Sequence, residues 1–453
     1  MKSKKYFLII LPLIGLFLVK PMKTWAEERY TELQSFTKIL NLVQQYYVDP
    51  VDTKKLISGA IKGMLKELDP HTNYMPADIF KDFESETSGE FGGIGIEISI
   101  QNGILTIISP IEDTPAWKAG VKAGDKVVAI DAQSTKGFTL VEASALLKGK
   151  NGDAIILSVA RDNVEKPIDI KIVRGQVKLK SVKSVQLDNG YIYVRITSFI
   201  ESTSKELEKT LADYVSSTAS GKNKKIEGIL LDLRRNPGGL LEQAIKVSDL
   251  FIKEGVIVST IGRDPKSKEV SSATKTALYS DVPIVVLINE YSASASEIVS
   301  GALQDNKRAI IVGERSFGKG SVQSVIKLGD GSGLKLTVAR YYTPSGVSIQ
   351  SEGIKPDIEI EEVDSSLFAK ALTEKKSARE KDISGHLKSE SEKKKSKTEA
   401  ATEKSKDSMA WWKDLANKKE SDLSESEKLF KTDYQAYQAY SYLKAWKTLK
   451  KFN

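Results

Sequence analysis

No cysteine occurs among the 453 residues, and only two histidines do, His71 and His386. The missing thiols exclude disulfide bonds and thiolate metal sites, and they leave the redox compartment undetermined. His71 is a lone histidine in a predicted turn, Leu68-Asp-Pro-His-Thr72, and we interpret it as structural. The scarcity of histidine leaves a hydrolase few of the usual bases. A serine activated by a lysine therefore becomes the leading catalytic arrangement.

The sequence also lacks the features of a nucleic-acid-binding protein. Its formal net charge is +8, but much of the lysine lies after Lys370. No basic stretch is interleaved with aromatic residues, and no zinc-ligand spacing is present. We therefore exclude nucleic acid as a partner. The length and an apolar fraction of 40% instead fit a globular protein of two or three domains.

A 14-residue apolar run, residues 6–19, follows a basic start at the N-terminus. A run of this length is short for a membrane-spanning helix but normal for an export signal. Thr24-Trp-Ala26 offers a cleavage site before Glu27, whereas Lys20-Pro-Met-Lys23 favours an uncleaved anchor. Both readings stay open, and both predict an exported protein of the periplasm or cell envelope.

The spacing of apolar residues changes along the chain and predicts its elements. Apolar residues three or four positions apart predict helices at 33–47 and 57–68. The apolar face of each helix must pack on a body domain or on a partner subunit. From residue 89 to about 173, an alternating pattern predicts a small barrel of five or six strands. Within it we expect one strand over 91–100 and a helix at 139–147.

Beyond Gln176, strands and helices alternate, which is typical of an α/β layered domain with strands buried on both faces. Its predicted helices are 204–215, 240–251 and 294–304, and its buried strands are 226–233, 283–288 and 309–312. Residues 365–407 are rich in Lys, Glu, Ser and Ala, and we predict a disordered linker or fluctuating helix. Asp433 is predicted to cap a final helix with an apolar stripe over 436–446, which packs either on its own subunit or on a second copy of the chain.

Ser294 and Lys319, 25 positions apart, carry the predicted chemistry. Ser294 follows a buried strand and begins a helix, whose N–H groups favour a developing oxyanion. Ser292, Ser294 and Ser296 are also ordinary N-cap candidates. Lys319 lies between two glycines in a turn that should return beside the helix start. A lysine base must be neutral, which requires desolvation to lower its pKa.

A rival interpretation exists for the lysine. Gly313-x-x-x-x-Gly318-Lys319 follows a predicted strand and copies most of a phosphate-binding loop. That loop needs Ser or Thr next and then a helix, whereas Gly320 follows and 321–328 has a strand pattern. Both requirements fail, which disfavours nucleotide binding.

Two glycine-rich turns complete the candidate machinery. Arg234-Arg-Asn-Pro-Gly-Gly239 ends a buried strand, and its paired glycines let backbone amides approach a substrate carbonyl. Gly92-Gly-Ile-Gly-Ile96 opens the strand-rich segment and can turn amides toward a chain-terminal carboxylate, while the next strand edge pairs with the peptide. Taken alone, the first is also a plain strand-to-helix turn and the second an ordinary β-turn.

Together these motifs resemble the carboxyl-terminal processing peptidases, the tail-specific proteases of the S41 serine-peptidase family. The resemblance covers residues 28–361, and the motifs occur in the family's order: Leu68-Asp-Pro-His-Thr-Asn-Tyr74, Gly92-Gly-Ile-Gly-Ile96, Leu233-Arg-Arg-Asn-Pro-Gly-Gly239, Ser292-Ala-Ser-Ala-Ser-Glu297, Gly301-Ala-Leu-Gln-Asp305 and Phe317-Gly-Lys-Gly-Ser-Val-Gln323. Ser316 replaces the threonine often found before Phe-Gly-Lys. The charged insert before the last helix departs from the short members, which leaves the role of the tail open.

The resemblance implies an α+β multidomain fold, in which a PDZ domain is inserted before a ClpP/crotonase-like α/β peptidase core, with helical N- and C-terminal segments. The implied segments are a signal peptide or membrane anchor (1–26), an N-terminal helical segment (27–88), a PDZ domain (89–175), an S41 peptidase core (176–364), a charged low-complexity linker (365–425) and a C-terminal helix (426–453).

The resemblance also implies a role for each candidate residue. Ser294 is the expected nucleophile, Lys319 the general base and Gln323 the residue that orients the lysine. The supporting residues are Gly238 and Gly239 as oxyanion-hole backbone, Glu297 and Asp305 as polar support, and Gly93, Ile94, Gly95 and Ile96 as the peptide-binding loop.

The expected protein is an exported serine endopeptidase that binds apolar free C-termini through its PDZ domain and cleaves near them without a metal or cofactor. Expected partners are protein or peptide substrates, further copies of the chain in a dimer or ring of dimers, and an envelope adaptor protein. Two alternatives stay open. A catalytically silent PDZ scaffold would lack Ser294 or Lys319, and the PDZ insertion and Ser–Lys pair disfavour a crotonase-like acyl-CoA enzyme.

Overall fold

The structure is a computed structural model that describes residues 25–449 except 112, 163, 217–224, 276 and 363–417. The predicted export segment at 6–19 and the predicted linker at 365–407 lie outside the described residues. The chain divides into two compact units, Met1–Tyr74 and Met75–Asn453. Of the helices that are described, none is long and apolar enough to cross a membrane.

Two helices form the described part of the first unit, as the apolar spacing predicts. They are α1 (Trp25–Tyr46) and α2 (Thr53–Lys66). Asp52 caps α2 by accepting a hydrogen bond from the Lys54 N–H at 2.8 Å. Part of the apolar face of α1 is exposed to solvent, and the exposed fraction of Leu33 is 63%. A short strand, β1 (Asn73–Met75), lies where the first unit passes into the second.

The second unit opens with a helix that the sequence analysis missed, α3 (Ala77–Ser88). Gly89 ends it with φ +73°, a left-handed conformation that suits glycine. Helix α3 falls within the predicted N-terminal helical segment, 27–88, and by its contacts it belongs to the larger unit, where Phe80 is buried.

An antiparallel sheet forms the strand-rich segment. Its strands in spatial order are β3 (Ile96–Gln101), β4 (Ile104–Pro110), β5 (Lys126–Ile130), β7 (Ala154–Ala160) and β8 (Ile168–Val173), with β6 (Gln133–Ser134) beside β5. The sheet packs with α4 (Pro115–Lys118) and α5 (Leu140–Leu147) around one apolar core. Thr139 and Glu142 form a capping box at the start of α5, which confirms the predicted helix.

The single strand expected over residues 91–100 is wrong. The structure breaks it into β2 (Glu90–Gly93) and β3, and β2 pairs with β9 (Gly175–Lys178) instead. The break lies at Gly95, where φ is +79° and an added Cβ would come 2.4 Å from the Thr114 Cβ. Two sheets therefore share one apolar stretch of sequence, which alternation alone does not reveal.

A six-stranded sheet forms the centre of the second unit. Its strands in spatial order are β10 (Val182–Gln186), β11 (Tyr191–Ile196), β12 (Gly228–Asp232), β15 (Ile284–Ile288), β16 (Ile310–Gly313) and β19 (Ile358–Glu359). All are parallel except β10, which pairs antiparallel at one edge. Successive residues of β11 face opposite layers, with Ile192 and Val194 in one core and Tyr193 in the other. The prediction of strands buried on both faces is confirmed.

Helices cover both faces of this sheet. On one face lie α6 (Thr203–Ser216), α7 (Leu241–Asp249) and α8 (Ala295–Asp305). On the other face lie α9 (Glu425–Thr432) and α10 (Tyr434–Leu449). Asp433 accepts a hydrogen bond from the Ala436 N–H at 2.9 Å, which confirms the predicted cap of α10. The apolar stripe of α10 therefore packs on its own chain, one of the two arrangements that the stripe allowed.

A buried ionic cluster ties α10 to the central sheet. Arg234, just after β12, donates to Asp232 at 2.6 Å, to Asp433 at 2.5 Å and to Gln435 at 2.9 Å. Burial alone would raise the pKa of the Asp232 carboxyl, but the Arg234 guanidinium holds it below its usual value. Tyr193 donates a further hydrogen bond to Asp232 at 2.7 Å. The start of α10 is thus fixed to the strand end that precedes the 236–239 turn.

A second sheet stands beside the helical layer. Its strands in spatial order are β14 (Glu269–Ser272), β13 (Val256–Ile261), β18 (Gly333–Tyr342) and β17 (Ser321–Lys327), joined antiparallel. Strand patterns at 321–328 and 333–340 predict β17 and β18 from the sequence, whereas β13 and β14 were not predicted. The turn before β17 carries Lys319.

Candidate active site

Ser294 lies between the end of β15 and the start of α8, where the backbone is strained. Its φ is +55° and its ψ is −111°, a region that residues with a side chain rarely occupy. The Ser294 N–H donates to the Glu297 carboxylate at 2.7 Å. The strain is therefore held by a specific contact inside the first turn of α8. Strain of this kind concentrates at functional sites.

The Glu297 carboxylate holds both candidate catalytic segments. Its Oε2 accepts hydrogen bonds from the N–H of Ser294 at 2.7 Å and of Lys319 at 2.9 Å. Its Oε1 accepts from the Gly318 N–H and the Ser316 Oγ, both at 2.6 Å. Glu297 is 0% exposed, and burial raises the pKa of its carboxyl although all four hydrogen bonds act to lower it.

Ser294 and Lys319 line one cavity of about 520 Å³ in the second unit, with Gln323, Gly238 and Gly239 in the same wall. Apolar side chains form much of the rest, including Leu240, Ile298 and Val322. The Gln323 amide nitrogen donates to the Ser321 Oγ at 2.9 Å. Five of the predicted site residues thus converge on one cavity.

The 236–239 turn packs directly against the nucleophile candidate. Gly238 has φ +101°, and a Cβ there would come 2.8 Å from the Ser294 Cβ. Asn236 shapes the turn from a fully buried position, since its side chain donates to the Ile196 carbonyl and accepts from the Gly238 N–H at 2.9 Å. The Gly238 N–H is therefore occupied in this structure, and no described residue accepts a hydrogen bond from the Gly239 N–H.

Asp305 lies outside the cavity wall, whereas Tyr341, which the sequence did not indicate, lies in it. Asp305 ends α8, eleven residues along from Ser294, and its carboxylate accepts from the Ser345 N–H at 2.9 Å. At about 1.5 Å per residue, it lies roughly 17 Å from the serine. Tyr341 does line the cavity, but nothing in the local sequence around it signals a site residue.

The Gly93–Ile96 loop joins β2 to β3 and is anchored by its carbonyls. The Ile94 carbonyl accepts from the Ala116 N–H at 2.8 Å, and the Gly95 carbonyl accepts from the Ile111 N–H at 3.0 Å. The Ile94 side chain is 1% exposed and belongs to the core of the small domain. Ile94 therefore offers a ligand only its backbone.

Within the described parts of the chain, no three His, Asp or Glu side chains come together in the manner of a metal site. The cavity offers a hydroxyl, an amine and backbone N–H groups, held by a buried carboxylate. This arrangement suits nucleophilic attack on a carbonyl carbon.

Comparison with known proteins decides the family. Residues 190–360 match the profile of peptidase family S41, residues 92–172 match the PDZ domain, and residues 19–79 match the N-terminal domain of the activating protease CtpB. The carboxy-terminal-processing protease of Bartonella bacilliformis is 49% identical over 74% of this chain and 76% of its own length. The chain belongs to peptidase family S41.

Other members of the family extend the comparison. Carboxy-terminal processing protease CtpA of Bacillus subtilis is 39% identical over 73% of this chain and 69% of its own length. A solved structure described as photosystem II D1 C-terminal processing protease is 30% identical, covers 73% of this chain and 93% of its own, and has a TM-score of 0.43. The family matches and the two bacterial relatives identify the protein as a C-terminal processing serine protease that combines an S41 peptidase domain with a PDZ domain.

Proposed function

We propose that this S41 peptidase cleaves peptide bonds with Ser294 as nucleophile and Lys319 as general base. One observation carries the proposal: a single buried carboxylate, that of Glu297, binds the backbone N–H of both residues beside one cavity. Such a shared anchor fixes the distance between the two segments, which is what a nucleophile and its base require.

The reaction follows from these roles. The Ser294 Oγ attacks a backbone carbonyl carbon while neutral Lys319 takes the hydroxyl proton and later delivers it to the leaving amine. Backbone N–H groups of the 236–239 turn stabilise the tetrahedral oxyanion, with the Gly239 N–H in the better position because the Gly238 N–H is bound to Asn236. Water then releases the acyl group, and Gln323 orients the lysine.

The PDZ domain supplies the proposed specificity for free C-termini. Backbone amides of the loop formed by Gly93, Ile94, Gly95 and Ile96 would bind the terminal carboxylate, and the edge of β3 would pair with the substrate backbone. The substrates are then unstructured chains, for which we expect the PDZ domain to favour apolar last residues. The largely apolar walls of the cavity beside Ser294 favour apolar side chains next to the scissile bond.

We also propose an exported enzyme that acts in the periplasm or cell envelope and is either released from its signal or anchored by residues 6–19. Exposed apolar side chains on α1, such as Leu33 and Phe36, favour pairing of the first unit with a second copy of the chain. An envelope adaptor is a further candidate partner. Light scattering of the protein without residues 1–26 tests the pairing, because a monomer at micromolar concentration would contradict it.

Substitution of the two catalytic candidates tests the mechanism. Ser294→Ala and Lys319→Ala should each lower the cleavage of an unstructured peptide by several orders of magnitude while the circular dichroism spectrum stays unchanged. Wild-type activity should rise with pH as the lysine loses its proton. Ordinary turnover by folded Lys319→Ala would remove the lysine from its role, and a folded wild-type protein without cleavage of any such peptide would favour the silent scaffold.

A further inference from the structure

Tyr341 is an unused polar group inside the catalytic cavity. It is 1% exposed and is the bulkiest of the fully buried side chains in the described residues. Its hydroxyl is buried and has no hydrogen-bond partner within the described part of the chain. A buried hydroxyl without a partner costs about 1–3 kcal/mol, so most folds avoid one.

The position of Tyr341 connects it to both members of the proposed dyad. Its backbone N–H donates to the Gly320 carbonyl at 3.0 Å, next to Lys319 in the chain. Its side chain lines the same cavity wall as Ser294. The two hydroxyls are close enough for Ser294 to influence the titration of the phenol, yet they do not meet the geometry of a hydrogen bond.

The environment keeps the phenol protonated. Burial and the nearby Glu297 carboxylate raise the pKa of Tyr341 well above its ordinary value, more than the Ser294 hydroxyl lowers it. The side chain therefore stays a neutral O–H donor at any pH at which a lysine base works. It can give a hydrogen bond but does not compete for the serine proton.

We propose that Tyr341 is a positioning residue, whose hydroxyl donates a hydrogen bond to the Ser294 Oγ and directs the serine proton toward Lys319. The proposal rests on the proposed function of Ser294 and Lys319. A serine hydroxyl has one proton and two lone pairs. When the phenol occupies one lone pair, the serine proton turns to the lysine and the other lone pair faces the substrate carbonyl.

The bond changes involve only the dyad and the substrate. As the Oγ–carbon bond forms, the serine proton passes to the Lys319 nitrogen and the carbonyl oxygen takes the electron pair. The phenol proton stays on Tyr341 throughout. The proposed O–H···O contact belongs to the working complex, since the two hydroxyls do not form it in this structure.

The test compares Tyr341→Phe with Tyr342→Phe. Tyr342 is the next residue of β18 and points to the opposite face of the strand, so its variant controls for loss of a phenol hydroxyl nearby. Three quantities are measured: the rate of phosphonylation of Ser294 by a fluorophosphonate, kcat and KM for an unstructured peptide, and the melting temperature. The pH dependence of kcat is recorded for both variants.

Tyr341→Phe should lower the phosphonylation rate and kcat by about tenfold, the value of one neutral hydrogen bond, with KM within about twofold. The melting temperature should be unchanged or higher, because an unpartnered buried hydroxyl has been removed. The rising limb of the pH profile should stay in place, since Lys319 still titrates. Tyr342→Phe should match the wild type.

Three results would overturn the proposal: a wild-type phosphonylation rate in Tyr341→Phe, an effect confined to KM, or a clear loss of melting temperature, which would reveal a structural role for the hydroxyl. The wild-type reaction separates this failure from that of the dyad. If the wild type is phosphonylated at Ser294 and Tyr341→Phe reacts equally fast, only the role of Tyr341 falls. If the wild type is not phosphonylated at Ser294, the proposed function itself falls.

Discussion

Replacing Glu297 by glutamine removes one acceptor from the carboxylate that holds both catalytic segments. In the more favourable orientation of the glutamine side chain, its amide oxygen still accepts hydrogen bonds from the N–H groups of Ser294 and Lys319. Its NH₂ group then faces the Ser316 hydroxyl and the Gly318 N–H. The Ser316 hydroxyl can turn to accept, but the buried Gly318 N–H cannot, which costs about 1–3 kcal/mol. The remaining hydrogen bonds also lose their charge assistance.

We expect Glu297→Gln to lower the free energy of unfolding by about 2–4 kcal/mol, from one orphaned donor and weaker remaining bonds. The lost Gly318 contact lets the turn before Lys319 shift. Because a displacement of about 1 Å at a catalytic group can cost 100-fold in rate, we expect kcat to fall by about that factor. Urea denaturation and peptide cleavage measure the two effects separately.

The pH dependence of Glu297 has a defined sign. Because burial raises its pKa in the folded state, the folded protein binds this proton more tightly than the unfolded chain does. The resulting stabilisation is present below the ordinary value of 4.5 and is lost as pH rises through the raised pKa. Glutamine does not titrate, so the stability advantage of the wild type over Glu297→Gln should shrink as pH rises through this window.

A matched control is Glu290→Gln, since Glu290 is an exposed carboxylate in the loop before Ser294. It should leave stability and kcat within experimental error of the wild type. The reasoning about Glu297 fails if Glu297→Gln unfolds at the wild-type urea concentration and keeps the wild-type kcat. In that case the four hydrogen bonds would hold neither Ser294 nor the turn before Lys319.

Three further outcomes can be measured. Arg234→Leu should lower the free energy of unfolding in urea by about 3–5 kcal/mol because Asp232 becomes an unpaired buried charge. Arg235→Leu, at the exposed neighbouring position, should lower it by under about 1 kcal/mol. Equal effects would contradict the role of the cluster. Gly238→Ala should lower kcat by at least about 100-fold because the added Cβ would clash with Ser294 and displace it. Full activity would show that the turn can move without displacing Ser294. An amide-capped peptide should bind the PDZ domain more weakly than the free acid in fluorescence anisotropy; equal affinity would remove the loop amides from carboxylate binding.

The sequence predicted those elements whose own residue pattern is enough to define them. The strands at 226–233, 283–288 and 309–312 are continuous apolar runs, and such a run indicates a strand buried on both faces without any knowledge of its neighbours. Ser294 and Lys319 stand in short glycine- and alanine-rich turns next to such strands, so the sequence indicated where each one lies. Their convergence on one cavity needed the structure, because it depends on the contacts of Glu297 across the turn.

Other features depend on distant contacts and were not predictable. From the sequence, the apolar stripe of α10 fits its own sheet or a second chain equally well. Its packing on the central sheet and the hydrogen bonds from Arg234 to Asp433 and Gln435 distinguish the two. Tyr341 looks like any strand residue until β18 is placed beside Gly320. Asp305 was assigned by resemblance, but the length of α8 carries it away from Ser294.

The central claim is that Ser294 is a nucleophile activated by Lys319. The most direct measurement is mass-spectrometric mapping of the residue that a fluorophosphonate modifies in the intact protein, with Lys319→Ala as the comparison. We predict stoichiometric modification of Ser294 in the wild type and a loss of several orders of magnitude in its rate in folded Lys319→Ala. Modification at another residue, or an undiminished rate in Lys319→Ala, would contradict the account.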